Sequence, residues 1–407
     1  MYHKAFNKII TIAMVLVLIV ALLPGCKPGT PVNSPSEATT EPIVTTEPAA
    51  TTEPAATTEP FAGEYAAGTL VFYADGVAKL FGEGNTVTHT YTGWMTETYT
   101  YNTVPWQDNK DDIIHVVMKD GAIPASTDHW FREYSNLVSV TLPEGLTAIG
   151  NHTFYVCTSL TEINIPEGVT VIGDWSFYAC IALTEIHIPD SVTAINTSAF
   201  AYCENLKSIT IPDGVTSIGD GAFSACFGLT SITIPDGVTS IGTDMFSACI
   251  GLTSITIPES VTSIGKYAFA GCSGLTGINI PAGVTEIAFG AFENCTGLTS
   301  ITIPNGVTVI SSALFRGCEN LESVNIPDQV TLISGDAFGR CKSLTSISIP
   351  SEVKKMASWA FRDCDNLTDI TFTGTVAQWK AMEKDQSWYE NTPVKSVQCS
   401  DGTVGLA

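Results

Sequence analysis

Glu162, Asn164, Glu185 and His187 come nearest, by type and spacing, to a reactive set in this 407-residue sequence. A histidine beside two carboxylates can move protons or hold a cation. The second pair follows the first at the period of an internal repeat, so two neighbouring strands would bring all four to one outward face. Solvated surface clusters look the same, which makes a hydrolase built on Glu162, Glu185 and His187 a remote reading. The six histidines (His3, His89, His115, His129, His152, His187) include no pair with metal-ligand spacing, so no metal is expected. There is no G-x-S-x-G and no phosphate-cradling glycine loop, and no cofactor is expected.

Ten of the twelve cysteines recur at one fixed interval from Cys157 to Cys364. In an exported chain such a series invites disulfides, and neighbours stacked about 5 Å apart would meet the Cα distance for a bridge. Each also follows a conserved-step phenylalanine in an apolar setting, where cysteine behaves as a small buried hydrophobe. Free, packed thiols are the expectation. There is no C-x-x-C pair for zinc or redox work, and Cys399 stands outside the series without a role.

What must position these residues is a repeat. Pro143, Pro166, Pro189 and seven further prolines to Pro350 each lie 23 residues from the last, and the phenylalanines from Phe131 to Phe361 keep the same step. A constant period in the twenties with recurring leucine and isoleucine is the mark of a solenoid. In Leu229-Thr-Ser-Ile-Thr-Ile-Pro235, Ile232 and Ile234 fall on one side of a strand, Ser231 and Thr233 on the other. Proline ends the strand, and Ile234-Pro-Asp-Gly237 fits a type I turn. Val238 to Ile241 reads as a second extended segment. Gly242 suits positive φ, and Ala222-Phe223 and Met245-Phe246 read as single helical turns. No coil can bury its own apolar side chains, so each must stack on its neighbours.

The pattern C-x-x-L-x-x-I-x-I-P-x-G-V-x-x-I-x-x-x-A-F-x-x-C, running from about Leu137 to Thr373, resembles the BspA-like class of leucine-rich repeats. The resemblance implies a mainly β solenoid with short helical turns, a parallel sheet from about eleven stacked coils over 129–373, and caps at both ends. It also implies a bacterial surface protein of a class associated with adhesion. Gly237 stands where other leucine-rich repeats carry an asparagine ladder, so their curvature is not carried over.

The flanks complete the plan. Lys4, Lys8 and the apolar run Ile9–Leu23 read as an export signal over 1–26, and Leu23-Pro-Gly-Cys26 resembles a lipoprotein box in which Cys26 takes the lipid. Residues 27–62 repeat Thr-Thr-Glu-Pro and cannot form a core, which suits an extended stalk. Within 63–128, Thr69–Tyr73 and Val77–Phe81 flank Ala74-Asp75-Gly76 as a hairpin, His89–Tyr101 alternates aromatic and polar residues as strands would, and Ile113–Val117 reads as a degenerate first coil. A β cap is the simpler reading of this segment and a glycan-stacking platform the other. In 374–407, Thr375-Val-Ala-Gln378 is a capping box opening a helix from 376 to about 384, and Asp401-Gly402 joins a closing hairpin.

Net charge is −23, and −25 without the signal, which excludes a phosphate-backbone partner. The outward strand face carries Ser208, Thr210, Ser231 and Thr233 and their equivalents, a polar surface without large anchors. Together with Glu162, Asn164, Glu185 and His187 this face is the expected ligand-binding surface. The expected function is non-catalytic: a surface module, lipid-anchored at Cys26, that binds a protein or glycan outside the cell. The alternative is a structural spacer or envelope scaffold without a specific ligand.

Overall fold

The structure is a computed structural model that describes residues 65–101 and 103–406; the expectations for the signal, Cys26 and the 27–62 stretch lie outside it. The described chain winds into a mainly β solenoid of about twelve turns with one short α-helix. That is one turn more than the repeats alone suggest, because strands in both flanking segments join the stack. In each turn the strand after the conserved leucine alternates as the sequence requires: in Ser231–Thr233 only Ile232 is buried, at 4% exposure. Equivalent residues lie opposite one another in parallel register, Ser231 on Ser254 and Ile232 on Ile255. A second short strand follows the proline turn, as in Ser240–Ile241, paired to Ser263–Ile264.

Three local expectations need correction. The turn after the strand is closed by the Val238 amide donating to the Pro235 carbonyl at 3.0 Å, so proline opens the turn instead of occupying its second place. Proline without an N–H loses nothing there. Gly242 is not among the positive-φ residues. In half of the coils its equivalent is glycine, and there the preceding coil passes close: a Cβ on Gly265 would lie 2.6 Å from the Gly242 carbonyl carbon; the other coils hold Asn196, Ala288, Ser311, Ser334 and Ala357 at this position. Finally, the Ala222-Phe223 and Met245-Phe246 segments are not helical. The residues two before and two after each phenylalanine are left-handed, Asp244 at φ 53° and Ala248 at φ 60° around Phe246. This geometry turns the amides of Gly221, Phe223 and Ala225 along the stack onto the carbonyls of Thr243, Met245 and Ser247 at 2.7–3.0 Å. Left-handed backbone costs a non-glycine residue about 1–2 kcal/mol; the ladder of inter-coil hydrogen bonds offsets it.

The core is a set of ladders. Phe131 through Phe361 stack ring on ring, Phe200 on Phe223 at 5.8 Å and 3°. Each cysteine is free and buried, and Cys226 Sγ donates to the Phe200 carbonyl at 3.2 Å. The same carbonyl also accepts the Cys203 amide at 3.2 Å, so the thiol from the next coil is its second donor and ties the two coils together.

At the N-terminal end, β1 (Thr69–Phe72) and β2 (Val77–Phe81) form the expected hairpin, and β3 (Val87–Thr92) extends it. The alternation to Tyr101 is not strand; beyond Thr92 the chain leaves the sheet to bury Trp94 and Tyr99. β1 pairs in parallel with β4 (His115–Met118), which pairs with β5 (Ser139–Thr141) of the first full repeat. Trp94, Trp106 and Trp130 pack around Phe72, so these aromatics fill the end of the core. At the other end, Thr375 caps α1 (Val376–Ala381) through both arms of a capping box. The helix stops short of 384 because Glu383–Lys384 pairs with Lys355–Met356 as one more strand of the stack. The hairpin Ser396–Cys399 with Gly402–Gly405 closes it.

Candidate functional site

All eight residues expected on the strand face point to solvent: Glu162, Asn164, Glu185, His187, Ser208, Thr210, Ser231 and Thr233 are exposed. The face is less continuous than its sequence suggests. Strand Glu162–Asn164 belongs to the N-terminal sheet and Glu185–Ile186 to a separate pair, so no ladder joins the two carboxylates. His187 Nε2 instead meets Glu167 Oε1 at 3.9 Å, with both side chains about 70% exposed (70% and 73%). Gly277-Ile-Asn279 is no strand at all, as an interior glycine favours. The threonines just before the strands hold the coils together: Thr253 Oγ1 donates to the Thr230 carbonyl at 3.1 Å, and Thr299 to Thr276 at 3.1 Å. These threonines are not the outward Ser208, Thr210, Ser231 and Thr233, which are exposed. No group of three potential metal ligands exists among the described residues.

The large side chains lie elsewhere. The left-handed residues flanking each buried phenylalanine turn two positions per coil outward, at Phe−2 and Phe+1, and make a third face of the solenoid. Around Phe200 and Phe223 these positions are small, Ser198, Gly221, Ala201 and Ser224, with Ala201 buried, whereas Asp244 and Tyr267 follow on the Phe−2 line. Over the first coils they are His129, His152 and Trp175 on one line and Arg132, Tyr155 and Tyr178 on the other. His129 stacks on His152 at 4.8 Å, and His152 on Trp175 at 6.0 Å with the planes 1° apart. Tyr155 stacks on Tyr178 at 4.9 Å, and Tyr202 leans on Tyr178 at 5.1 Å. The Arg132 guanidinium lies between the rings of Tyr101 and Tyr155, 4.5 and 4.1 Å from their centroids, and pairs with Glu133 at 3.2 Å.

Burial and the neighbouring His129 and Arg132 push the His152 imidazole down to about 4, and burial followed by Arg132 lowers His129. The pair is thus neutral near neutral pH. His129 Nδ1, His152 Nδ1 and Arg132 Nε are buried without a hydrogen-bond partner. The core beneath is also polar: Thr127, Thr153 and Ser176 are three of the four buried polar residues among the described ones, and Thr153 and Ser176 stand at a position where later coils carry mostly alanine.

The same face becomes charged near its C-terminal end. Arg316 Nε meets Asp336 at 3.2 Å and Glu293 lies 3.5 Å from its NH1, while Arg362 reaches Asp336 at 3.3 Å and covers Trp359 at 5.0 Å. Arg132, Arg316 and Arg362 stand on the Phe+1 line, and the chain's fourth arginine, Arg340, is the next residue along, at Phe+2. A helical turn at the phenylalanine segment, which the sequence favours, would not expose this face. The signal was present as departures from the repeat at Phe−2 and Phe+1.

Comparison with known proteins settles the family. Residues 127–253, 239–368 and 285–401 match the BspA type leucine rich repeat region. The chain belongs to this family. A leucine-rich repeat protein from Eubacterium ventriosum has a similar fold, with a TM-score of 0.50 and 22% identity over 78% of this chain and 92% of that one. A leucine rich cell surface protein from Faecalibacterium prausnitzii is 28% identical over 76% of this BspA-type chain and 96% of its own, at a TM-score of 0.45. The leucine-rich repeat protein of T. pallidum is 30% identical, covering 46% and 80% respectively, with a TM-score of 0.36. No curated protein sequence matches the chain.

Proposed function

We propose that this BspA-type protein is a non-catalytic binding module at a bacterial cell surface, attached by lipid at Cys26, raised on the 27–62 stalk, and engaging a protein or glycan through its turn face. One observation carries the reading. The residue types that anchor interfaces, Trp, Tyr and Arg, collect on the Phe−2 and Phe+1 lines, while the strand face holds serine and threonine. Export, the stalk and the family's repeat architecture support display outside the cell. A spacer would have no reason to replace alanine, serine and glycine by His129, His152, Trp175 and Tyr178 in one run of coils.

The test displays the full chain on a non-adherent bacterium and measures binding to matrix proteins, glycans and host cells. Trp175→Ala with Tyr178→Ala should abolish saturable binding, whereas Glu162→Ala, Glu185→Ala and His187→Ala together should leave it. The reverse result would return the site to the strand face. No binding by folded, displayed protein would favour the scaffold reading.

A further inference from the structure

The N-terminal sheet ends in an open edge. Its order begins β3-β2-β1-β4-β5, so β3 has a strand on one side only among the described residues. The Tyr73 amide donates to the Val77 carbonyl at 2.9 Å, and the Gly82 amide to the Thr86 carbonyl at 2.7 Å. Backbone groups alternate between the two edges of a strand, so Val77, Lys79 and Phe81 bond β1 while Ala78 and Leu80 bond β3. Their partners in β3 are Tyr91 and His89, which leaves the amides and carbonyls of Thr90 and Thr92 turned outward. Native edges are commonly blunted by proline, by charged side chains or by bulges. Here a bulge at Thr88, whose hydroxyl donates to the Leu80 carbonyl at 3.1 Å, interrupts the start of the strand. From His89 to Thr92 there is no proline, lysine or acid.

A cleft of about 480 Å³ opens beside this edge, at Thr88 and His89. Its apolar wall is Leu80, Phe81 and Ile114, the last 36% exposed, and Glu83, Asp111 and Asp112 line it as well. Tyr91 Oη donates to Asn109 Oδ1 at 2.8 Å, which holds the acidic segment against β3. None of the three carboxylates is ion-paired among the described residues. Two nearby lysines are engaged elsewhere, Lys79 over the Tyr73 ring at 5.4 Å and Lys119 over the Tyr65 ring at 5.6 Å. Lys110 precedes Asp111 in the chain and forms no ion pair among the described residues.

We propose that the β3 edge receives an extended, basic segment of a partner protein, which adds to the sheet as one more strand and sets lysine or arginine side chains among Glu83, Asp111 and Asp112. Strand addition draws affinity from main-chain hydrogen bonds and specificity from the side chains that alternate along the added strand. The side chains that face the cleft meet carboxylates at its rim and Ile114 in its wall, a setting that suits a cationic head on an aliphatic stem. A second copy of this chain is a poorer occupant, because it brings the same carboxylates and a net charge of −23. The Thr-Thr-Glu-Pro units of 27–62 carry the same sign of charge and a proline each, which a paired strand disfavours. The edge lies on the N-terminal cap and not on the turn face, so either site can fail without the other.

The experiment titrates purified full-length protein with a short peptide that alternates lysine and valine, with the same peptide N-methylated at every amide, and with a form carrying glutamate in place of lysine. Saturable binding of the first peptide alone is expected, with slowed hydrogen exchange over Val87–Thr92. Thr90→Pro, which removes an outward amide and no bond to β2, should weaken binding about ten-fold or more, as should Asp111→Asn with Asp112→Asn. Glu162→Gln with Glu185→Gln removes the same charge from the strand face and should change it little, and so should Trp175→Ala with Tyr178→Ala on the turn face. Equal binding of the N-methylated peptide, or equal losses in both carboxylate pairs, would mean attraction to net charge alone and would overturn the proposal. Self-association of the protein that Thr90→Pro abolishes would give the edge to a second copy and overturn it as well. Cooperative unfolding at the parental temperature shows that each variant's fold is intact, and the N-methylated peptide tests the edge on the parent chain whatever Thr90→Pro does to stability.

Discussion

Trp388 meets Phe361 edge to face, ring centroids 6.0 Å apart and planes 83° apart, after ten phenylalanine contacts in which ring lies flat on ring. A flat stack offers its last ring to whatever comes next. An indole turned across that ring covers it and presents no flat face for a further coil to continue the stack. Trp388 is itself buried against Trp379 of the capping helix at 5.8 Å. Trp388→Ala should therefore cost about 3–5 kcal/mol, concentrated in the last coils. Hydrogen exchange should show lost protection around Phe338–Trp388 with the coils before Phe246 unchanged, since a solenoid loses stability locally. Uniform loss along the whole stack would contradict an end-specific role.

The cysteine ladder makes a second prediction. Burial pushes the Cys249 and Cys295 thiols up to about 12, and each Sγ is held on a phenylalanine carbonyl of an earlier coil. Thiolate, the reactive form, is thus suppressed twice, by burial and by the absence of access. Folded protein at pH 8 should resist a thiol reagent on the ladder positions. Denatured, non-reduced protein should release ten ladder thiols and Cys399, all of which are free here. A thiol count near zero after denaturation would mean bridges that this packing does not contain.

The strand pattern, the coil period and both end hairpins were legible because each rests on side-chain burial, which sequence periodicity reports directly. Ile232 and Ile234 point inward as their spacing demands, and Thr375–Gln378 caps its helix. What was not legible depends on the neighbouring coil. Asp244 and Ala248 adopt left-handed backbone against their own preference because the next coil's carbonyls accept their amides. That conformation decides which side chains leave the core, so the turn face was hidden with it. His129, His152 and Trp175 then look like scattered aromatics, whereas the strand-face His187 beside Glu162 and Glu185 reads as a set from sequence and stands exposed on the surface.

Gly265 separates the two reasons a repeat can demand glycine. Its φ is not left-handed, but an added Cβ would lie 2.6 Å from the Gly242 carbonyl carbon and 2.7 Å from the Thr243 nitrogen. Backbone atoms of a stacked coil cannot rotate away as a side chain would, and the room that admits Asn196, Ala288, Ser311, Ser334 and Ala357 in the same register is not present above Gly242. Gly265→Ala should destabilise by about 1–3 kcal/mol through overpacking. By contrast Ser224→Ala, on the turn face, should stay within about 0.5 kcal/mol. Urea unfolding of both variants checks this; an unaffected Gly265→Ala would show that adjacent coils can spread at no cost.

The stacked imidazoles give the protein a pH dependence whose sign is fixed by their surroundings. His152 is held down to about 4 by burial first, then by His129 and Arg132, with Asp174 and Asp128 opposing more weakly. The unfolded chain's histidine titrates near 6.5. Between those values the unfolded state binds a proton that the folded state refuses, so stability is fully present above about 6.5 and declines as pH falls toward 4. His152→Phe keeps a ring between His129 and Trp175, 4.8 and 6.0 Å away in the native stack, and removes the titration. Melting temperature plotted from pH 7 to pH 4.5 should fall less steeply for His152→Phe than for the parent, with the two curves converging at neutral pH in slope. Parallel curves across the whole range would mean that His152 takes up its proton without disturbing the stack, and the burial assigned to it would be wrong.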